Sequence, residues 1–162
     1  MKKGRSLDWD PGLSAGENAR VQLPAVTREF FAAGRVLLAG AAAPVDLHNF
    51  RLAAKRFRYT LEMFRPLYGP GLEEKLGAVR KIQSLLGSRQ DCEVLAGRLR
   101  LPAQGSEALR GALEKTERRA LKLEQEFRAY WLDEFDAAGR ELAWVRYFTR
   151  RPPAPRRPKV TE

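Results

Sequence analysis

DLHNFRLAAKRFRYTLEMFRPLYG, residues 46–69, is the stretch from which the fold can be read. Leu47, Phe50, Ala54, Phe57, Leu61, Phe64 and Tyr68 recur at intervals of three and four. That spacing puts all seven on one face of a helix and predicts a continuous buried stripe. Asp46 is placed to cap the free amides at the start, with Val45 and Phe50 at the positions of a hydrophobic staple. Pro66, Gly69, Pro70 and Gly71 end the helix.

The same helix carries a second row. His48, Arg51, Lys55 and Arg58 lie at i, i+3, i+7 and i+10. At about 100° per residue they stand roughly a third of a revolution from the apolar stripe, one basic group per turn. A row in that position faces the groove beside an adjoining helix. Like charges stacked this way repel, and only Glu62, next in the row, offers relief. One reading is a solvated face whose arginine stems cover the edge of the core. The other is a site for a multivalent phosphate chain, which would receive several charge-assisted hydrogen bonds along one line. The absence of interleaved acids favours the second, because the later helix alternates Glu with Lys and Arg and this one does not. His48, read as a first-turn residue, would also lie beside free amides at the positive end of the helix dipole.

Outward from this segment the apolar spacing stays helical. Pro24 suits the first turn of a helix running to about Leu38, stopped by Gly40. Leu72, Leu76, Val79, Ile82 and Leu86 mark a third helix closed by Gly87, and Ser88 with Asp91 resembles a cap for a short fourth, to about Leu99. A long helix from about Ser106 into the 140s carries Leu109, Leu113, Ala120, Leu123, Phe127, Trp131 and Phe135 on or near one face. With few β-branched residues and no Asn-Gly or Asp-Gly hairpin signal, the expected fold is all-α: an antiparallel helical bundle with a long C-terminal helix. Residues 1–16 read as a flexible N-terminal lead-in, 17–145 as the helical domain and 146–162 as a basic, Pro-rich disordered tail.

Composition narrows the function. A chain of 162 residues is one domain with room for its own core, and a net charge of +10 attracts polyanions. One cysteine, Cys92, and one histidine, His48, exclude an internal disulfide and a Cys/His zinc site. No apolar run approaches the roughly 18 residues of a membrane span. The basic start MKKGRS has no apolar stretch behind it, so it is not a secretory signal and the chain reads as cytoplasmic. No P-loop, nucleophile–histidine–acid set or cluster of acids for magnesium is evident, which argues against an enzyme and against any cofactor or metal.

His48-x-x-Arg51, then Lys55-Arg56-x-Arg58-Tyr59, then Ile82-Gln83-x-x-Leu86-Gly87-x-Arg89-x-Asp91-x-x-Val94 closely resembles the CHAD family, the conserved histidine α-helical domain. The resemblance covers about residues 20–100. It implies a helical bundle whose basic, histidine-bearing surface binds inorganic polyphosphate, in proteins often associated with polyphosphate granules. Carried over by position, the ligand residues would be His48, Arg51, Lys55, Arg56 and Arg58, joined by Arg80, Lys81 and Arg89 on facing helices. Asp91 reads as a cap, or as an acid that orients an arginine. Family members usually carry two such helical repeats around a central cavity, whereas this chain has one. It would therefore bind on an open half-site or pair as a homodimer, for which the apolar residues Trp131, Phe135 and Trp144 offer surface. A nucleic-acid-binding or acidic-protein-binding bundle is the alternative; Arg-rich helices suit phosphate backbones generally, but no helix-turn-helix or base-stacking set stands out.

Overall fold

A computed structural model describes residues 7–150. Among them are six α-helices and no strand: α1 (Ala15–Leu38), α2 (Pro44–Met63), α3 (Arg65–Tyr68), α4 (Gly71–Leu99), α5 (Glu107–Tyr130) and α6 (Arg140–Thr149). A 3₁₀ turn, Pro102–Gly105, joins α4 to α5, and a π-helical turn, Trp131–Phe135, follows α5. The chain is the all-α bundle that its periodicity predicts. The residues beyond 150, with most of the basic tail, lie outside the described part.

Helix α1 starts at Ala15, not at Pro24. Ser14 and Glu17 make a capping box, in which the Glu17 amide donates to Ser14 Oγ at 3.3 Å and the Ser14 amide donates to the Glu17 carboxylate at 2.8 Å. Pro24 therefore sits within the helix and is buried. An interior proline costs a helix about 3 kcal/mol. Burying Leu23, Phe30 and Phe31 on the same helix returns roughly 1.5–3 kcal/mol for each side chain, so packing wins. The segment ahead of α1 is held to it: the Asp10 amide donates to Asn18 Oδ1 at 2.9 Å, and Asn18 Nδ2 donates to the Asp10 carbonyl at 2.8 Å.

Two further boundaries differ from the sequence reading. Helix α4 runs unbroken through Gly87 and Ser88 to Leu99, because Ile82, Leu86, Arg89, Cys92 and Ala96 continue one buried row. The long C-terminal helix, by contrast, is interrupted. Gly139 has φ +81°, a left-handed conformation that glycine adopts without penalty, and the chain turns there into α6. Helix α6 then lies along α1, with Glu141 paired to Arg35 at 2.6 Å and the Trp144 ring 5.7 Å from that of Phe31.

The core is aromatic and is assembled from both ends of the chain. Phe30 stacks on Phe57 at 4.4 Å and on Phe50 at 5.2 Å, while Trp131 stacks on Phe135 at 4.7 Å and Phe135 on Phe31 at 4.9 Å. At Gly34, α1 passes so close to Trp131 that a Cβ would overlap the indole. Trp131, Phe135 and Trp144 are 0%, 0% and 2% exposed. They fill the chain's own core and offer no surface to a second copy, so the homodimer expectation loses the residues on which it stood.

A corner between α2 and α3 gathers the ends of the described chain. The Trp9 ring lies 6.3 Å from that of Phe64. Four residues on, the Tyr68 hydroxyl donates to the Phe148 carbonyl at 2.9 Å, and the Tyr147 hydroxyl donates to the Tyr68 carbonyl at 3.0 Å. Burial pushes the Tyr68 phenol up to about 12, with Tyr147 adding to the shift and Arg20 opposing it.

Candidate anion-binding groove

Helix α2 begins with Pro44, whose fixed φ suits a first turn and whose missing N–H is not needed there. Ala43 precedes it, and Asp46 reaches back to accept the Ala43 amide at 3.2 Å. Asp46 is thus a first-turn acid and not the cap, and Val45 is exposed, so no staple forms. His48 consequently lies in the second turn. The Asp46 and Leu47 amides are already bonded to the Ala43 carbonyl, at 2.9 and 3.2 Å, which removes the anion site expected from helix-end amides beside His48.

The groove forms where α2 packs antiparallel to α4. The apolar stripe of α2 is buried as its spacing predicts, which turns the basic row toward α4. His48 Nδ1 lies 3.2 Å from Gln90 Oε1. One turn on, Arg51 lies over Gly87, its Nε 3.8 Å from where a Cβ would stand. Lys55 is one turn further, and at the far end Arg58 and Arg80 meet at Glu62. Arg58 Nη1 donates to Glu62 Oε1 at 2.7 Å, and Arg80 Nη2 lies 3.6 Å from the same oxygen. The guanidinium of Arg58 also rests on the ring of Tyr59 at 4.6 Å, with Lys55 Nζ 6.0 Å from that ring.

Of the eight residues singled out by sequence, five share this groove: His48, Arg51, Lys55, Arg58 and Arg80. Arg56 is exposed on α2, about 100° round the helix from Lys55. The other two are directed elsewhere. Lys81 turns toward α5, with Nζ 3.9 Å above the ring of Tyr130 and 3.0 Å from Glu134 Oε1. Arg89 is 7% exposed and lies between α4 and α5, 3.3 Å from Glu93 and 3.6 Å from Glu124. It fastens two helices together, and a polyanion could reach it only by separating them.

Gln90, Gln83 and Gly87 join the groove without being among the eight residues that the sequence singles out. Gln90 supplies the neutral partner of His48. Gln83 shares the Arg80–Gly87 face of α4 by its spacing, and its Nε2 is buried without a hydrogen-bond partner among the described residues. Gly87, which lies within α4 and does not end it, is the small residue beside which Arg51 packs. The signal was present in the Ile82-Gln83-x-x-Leu86-Gly87 pattern, but only the antiparallel pairing shows which residue of α2 each one meets.

Short of Glu62, both walls of the groove lack acids. On α2 no Asp or Glu occurs from residue 47 to 61, and on α4 none from 75 to 90. Arg51, Lys55 and Arg56 make no ion pair with any described residue. No group of three or more His, Cys, Asp and Glu residues able to hold a metal ion occurs among the described residues, and no described helix is long and apolar enough to cross a membrane.

Fold and groove together define a small all-helical domain with a cationic cleft between two antiparallel helices, whose one acid, Glu62, lies at its far end. A family model, the CHAD domain, matches residues 5–100, more than half of the chain, and the protein belongs to the CHAD family. No curated protein and no solved structure matches it.

Proposed function

We propose that the α2/α4 groove binds inorganic polyphosphate, and that the protein is a binding module and not an enzyme. The observation that carries this reading is the pair of facing helix segments with five basic groups along them and no carboxylate between residues 47 and 61 or 75 and 90. Such a cleft attracts a linear polyanion and offers guanidinium and ammonium donors in sequence along it. Its acid, Glu62, is paired with Arg58 and Arg80 and belongs to no described cluster of acids of the kind that carries the magnesium needed for phosphoryl transfer. Membership of a family linked in general to polyphosphate binding supports the ligand. A place in the cytoplasm, on polyphosphate granules, follows from the same reading.

Nucleic acid is the second reading, favoured by one observation: Tyr59 is half exposed at the edge of the basic row, where a base could stack. Against it, the cations of Arg58 and Lys55 already lie against that ring.

Titration with polyphosphate, single-stranded and double-stranded nucleic acid, at matched phosphate and salt, separates the two. Polyphosphate should bind most tightly, with a strong salt dependence. The double variant Arg51→Glu/Arg58→Glu should weaken it at least tenfold, since two charge-assisted contacts become repulsive. Arg156→Glu/Arg157→Glu, in the tail, should have a far smaller effect. Equal losses from the two pairs would reduce the site to diffuse charge.

A further inference from the structure

Glu62 divides the groove into two unlike halves. At its end the charges alternate: Arg65 pairs with Glu73, Glu73 lies 3.6 Å from Arg80 Nη1, Arg80 Nη2 lies 3.6 Å from Glu62, and Glu62 accepts from Arg58 at 2.7 Å. The two acids hold three guanidiniums from α2, α3 and α4. At the other end, Arg51 and Lys55 have no carboxylate partner among the described residues, and His48 meets the neutral Gln90. The groove is therefore open around His48, Arg51 and Lys55 and partly neutralised around Arg58 and Arg80. The Glu62 and Arg58 side chains are 27% and 22% exposed, so a polyanion can reach this pair and replace the carboxylate without disturbing the core.

We propose that Glu62 is an internal competitor that sets the length of polyanion the groove prefers. The inference rests on the polyphosphate reading and adds a selectivity device to it. Along α2, His48 to Lys55 covers about 10 Å and His48 to Arg58 about 15 Å, at 1.5 Å rise per residue. A short chain such as triphosphate occupies the open half and never meets Glu62. A longer chain that reaches Arg58 and Arg80 competes with the carboxylate already paired to them, and that negative charge repels it. Each phosphate added beyond the open half therefore strengthens binding less than the number of cations suggests. Wild-type protein is held toward short chains, and Glu62 is the residue that holds it there.

The test measures dissociation constants for triphosphate and for a long polyphosphate at one fixed salt concentration. The proteins are wild type, Glu62→Gln and Glu117→Gln. The last removes the same charge from α5, where Glu117 lies 3.6 Å from Arg100. Glu62→Gln should bind the long chain about three- to tenfold more tightly, the scale set by releasing two partly exposed ion pairs. Its affinity for triphosphate should stay within about twofold, and Glu117→Gln should change neither. An equal gain for both lengths, or the same gain in Glu117→Gln, would reduce the effect to net charge and overturn the proposal. No gain for the long chain would show that the carboxylate does not compete. A loss of long-chain binding, with helical content intact by circular dichroism, would make Glu62 a positioning residue for Arg58 and Arg80 and would equally overturn it. Failure of the groove reading itself shows separately, with Glu62 left intact, as equal losses from charge reversal in the groove and in the tail.

Discussion

Gly34 shows how far a single carbon can decide stability. It lies inside α1, where replacing glycine by alanine ordinarily strengthens a helix by about 1 kcal/mol. The indole of Trp131, fully buried, occupies the place of the missing Cβ, and overpacking a rigid core costs about 1–3 kcal/mol. Gly77, in α4, has nothing within 4 Å of its Cβ position. Gly34→Ala should therefore lower the melting temperature by several degrees while Gly77→Ala raises it, as measured by thermal unfolding at neutral pH. Two stabilising substitutions would mean that Trp131 moves aside freely. At this scale the sequence is legible wherever a residue's role follows from its own helix. The buried apolar positions of α2 and the row His48, Arg51, Lys55 and Arg58 were readable from spacing alone. Arg89 was not, because the acid that draws it inward, Glu124, belongs to a helix 35 positions further along the chain. Trp131 and Trp144 looked like free apolar surface for a similar reason. The partners that cover them, Phe30, Phe31 and Phe57, come from the opposite end of the chain.

Among the elements, the short α3 and the end of α6 are joined by a pair of exchanged hydrogen bonds, Tyr68 to the Phe148 carbonyl and Tyr147 to the Tyr68 carbonyl. Burial raises the Tyr68 phenol to about 12, whereas a tyrosine in an unfolded chain titrates near 10. The folded state thus holds this proton more tightly than the unfolded state does. Its contribution to stability is complete below about pH 10 and is lost as the pH rises toward 12. Denaturant titrations from pH 9 to 12 should show that decline in wild type and a shallower one in Tyr68→Phe, which at neutral pH should cost about 1 kcal/mol for the missing hydrogen bond. Identical slopes would remove Tyr68 from the alkaline transition. Helix boundaries were the least legible part of the sequence, for reasons visible in three residues. Pro24 is a strong local signal for a helix start, yet Ser14-x-x-Glu17 is the cap that forms. Gly87 is an ordinary helix terminator, but the buried row from Ile82 to Ala96 carries α4 across it. Gly139 stands in no motif of the sequence, yet there the backbone adopts a left-handed turn. Local propensity yields to packing at the first two and prevails at the third.

For the molecule as a whole, the family match and the folding unit have different extents. The match ends at residue 100, inside the turn that follows α4, but Phe127, Trp131, Phe135, Trp144 and Phe148 are all buried beyond that point. They cover the aromatic faces of α1 and α2, so residues 1–100 alone would expose Phe30, Phe31, Phe50 and Phe57. Each is worth roughly 1.5–3 kcal/mol of burial, and together they match the whole stability of an ordinary domain, about 5–15 kcal/mol. A fragment ending at Arg100 should retain helical circular dichroism but lose near-ultraviolet signal and cooperative melting, and it should bind a hydrophobic dye. A sharp thermal transition in that fragment would show that α5 and α6 are dispensable.

The corner at Phe64 and Tyr68 bears on the connectivity of the chain. Trp9 meets the bundle there and Phe148 meets it one helical turn away, so the path of the described backbone is nearly a closed ring. In a ring the order of helices has no privileged first member. A short linker joining the chain near Trp9 to the chain near Phe148, with a new opening cut at the exposed turn around Gln104 and Gly105, would leave every described contact of the groove and of the aromatic core in place. Circular permutation of the described residues would change only the order in which the helices follow one another.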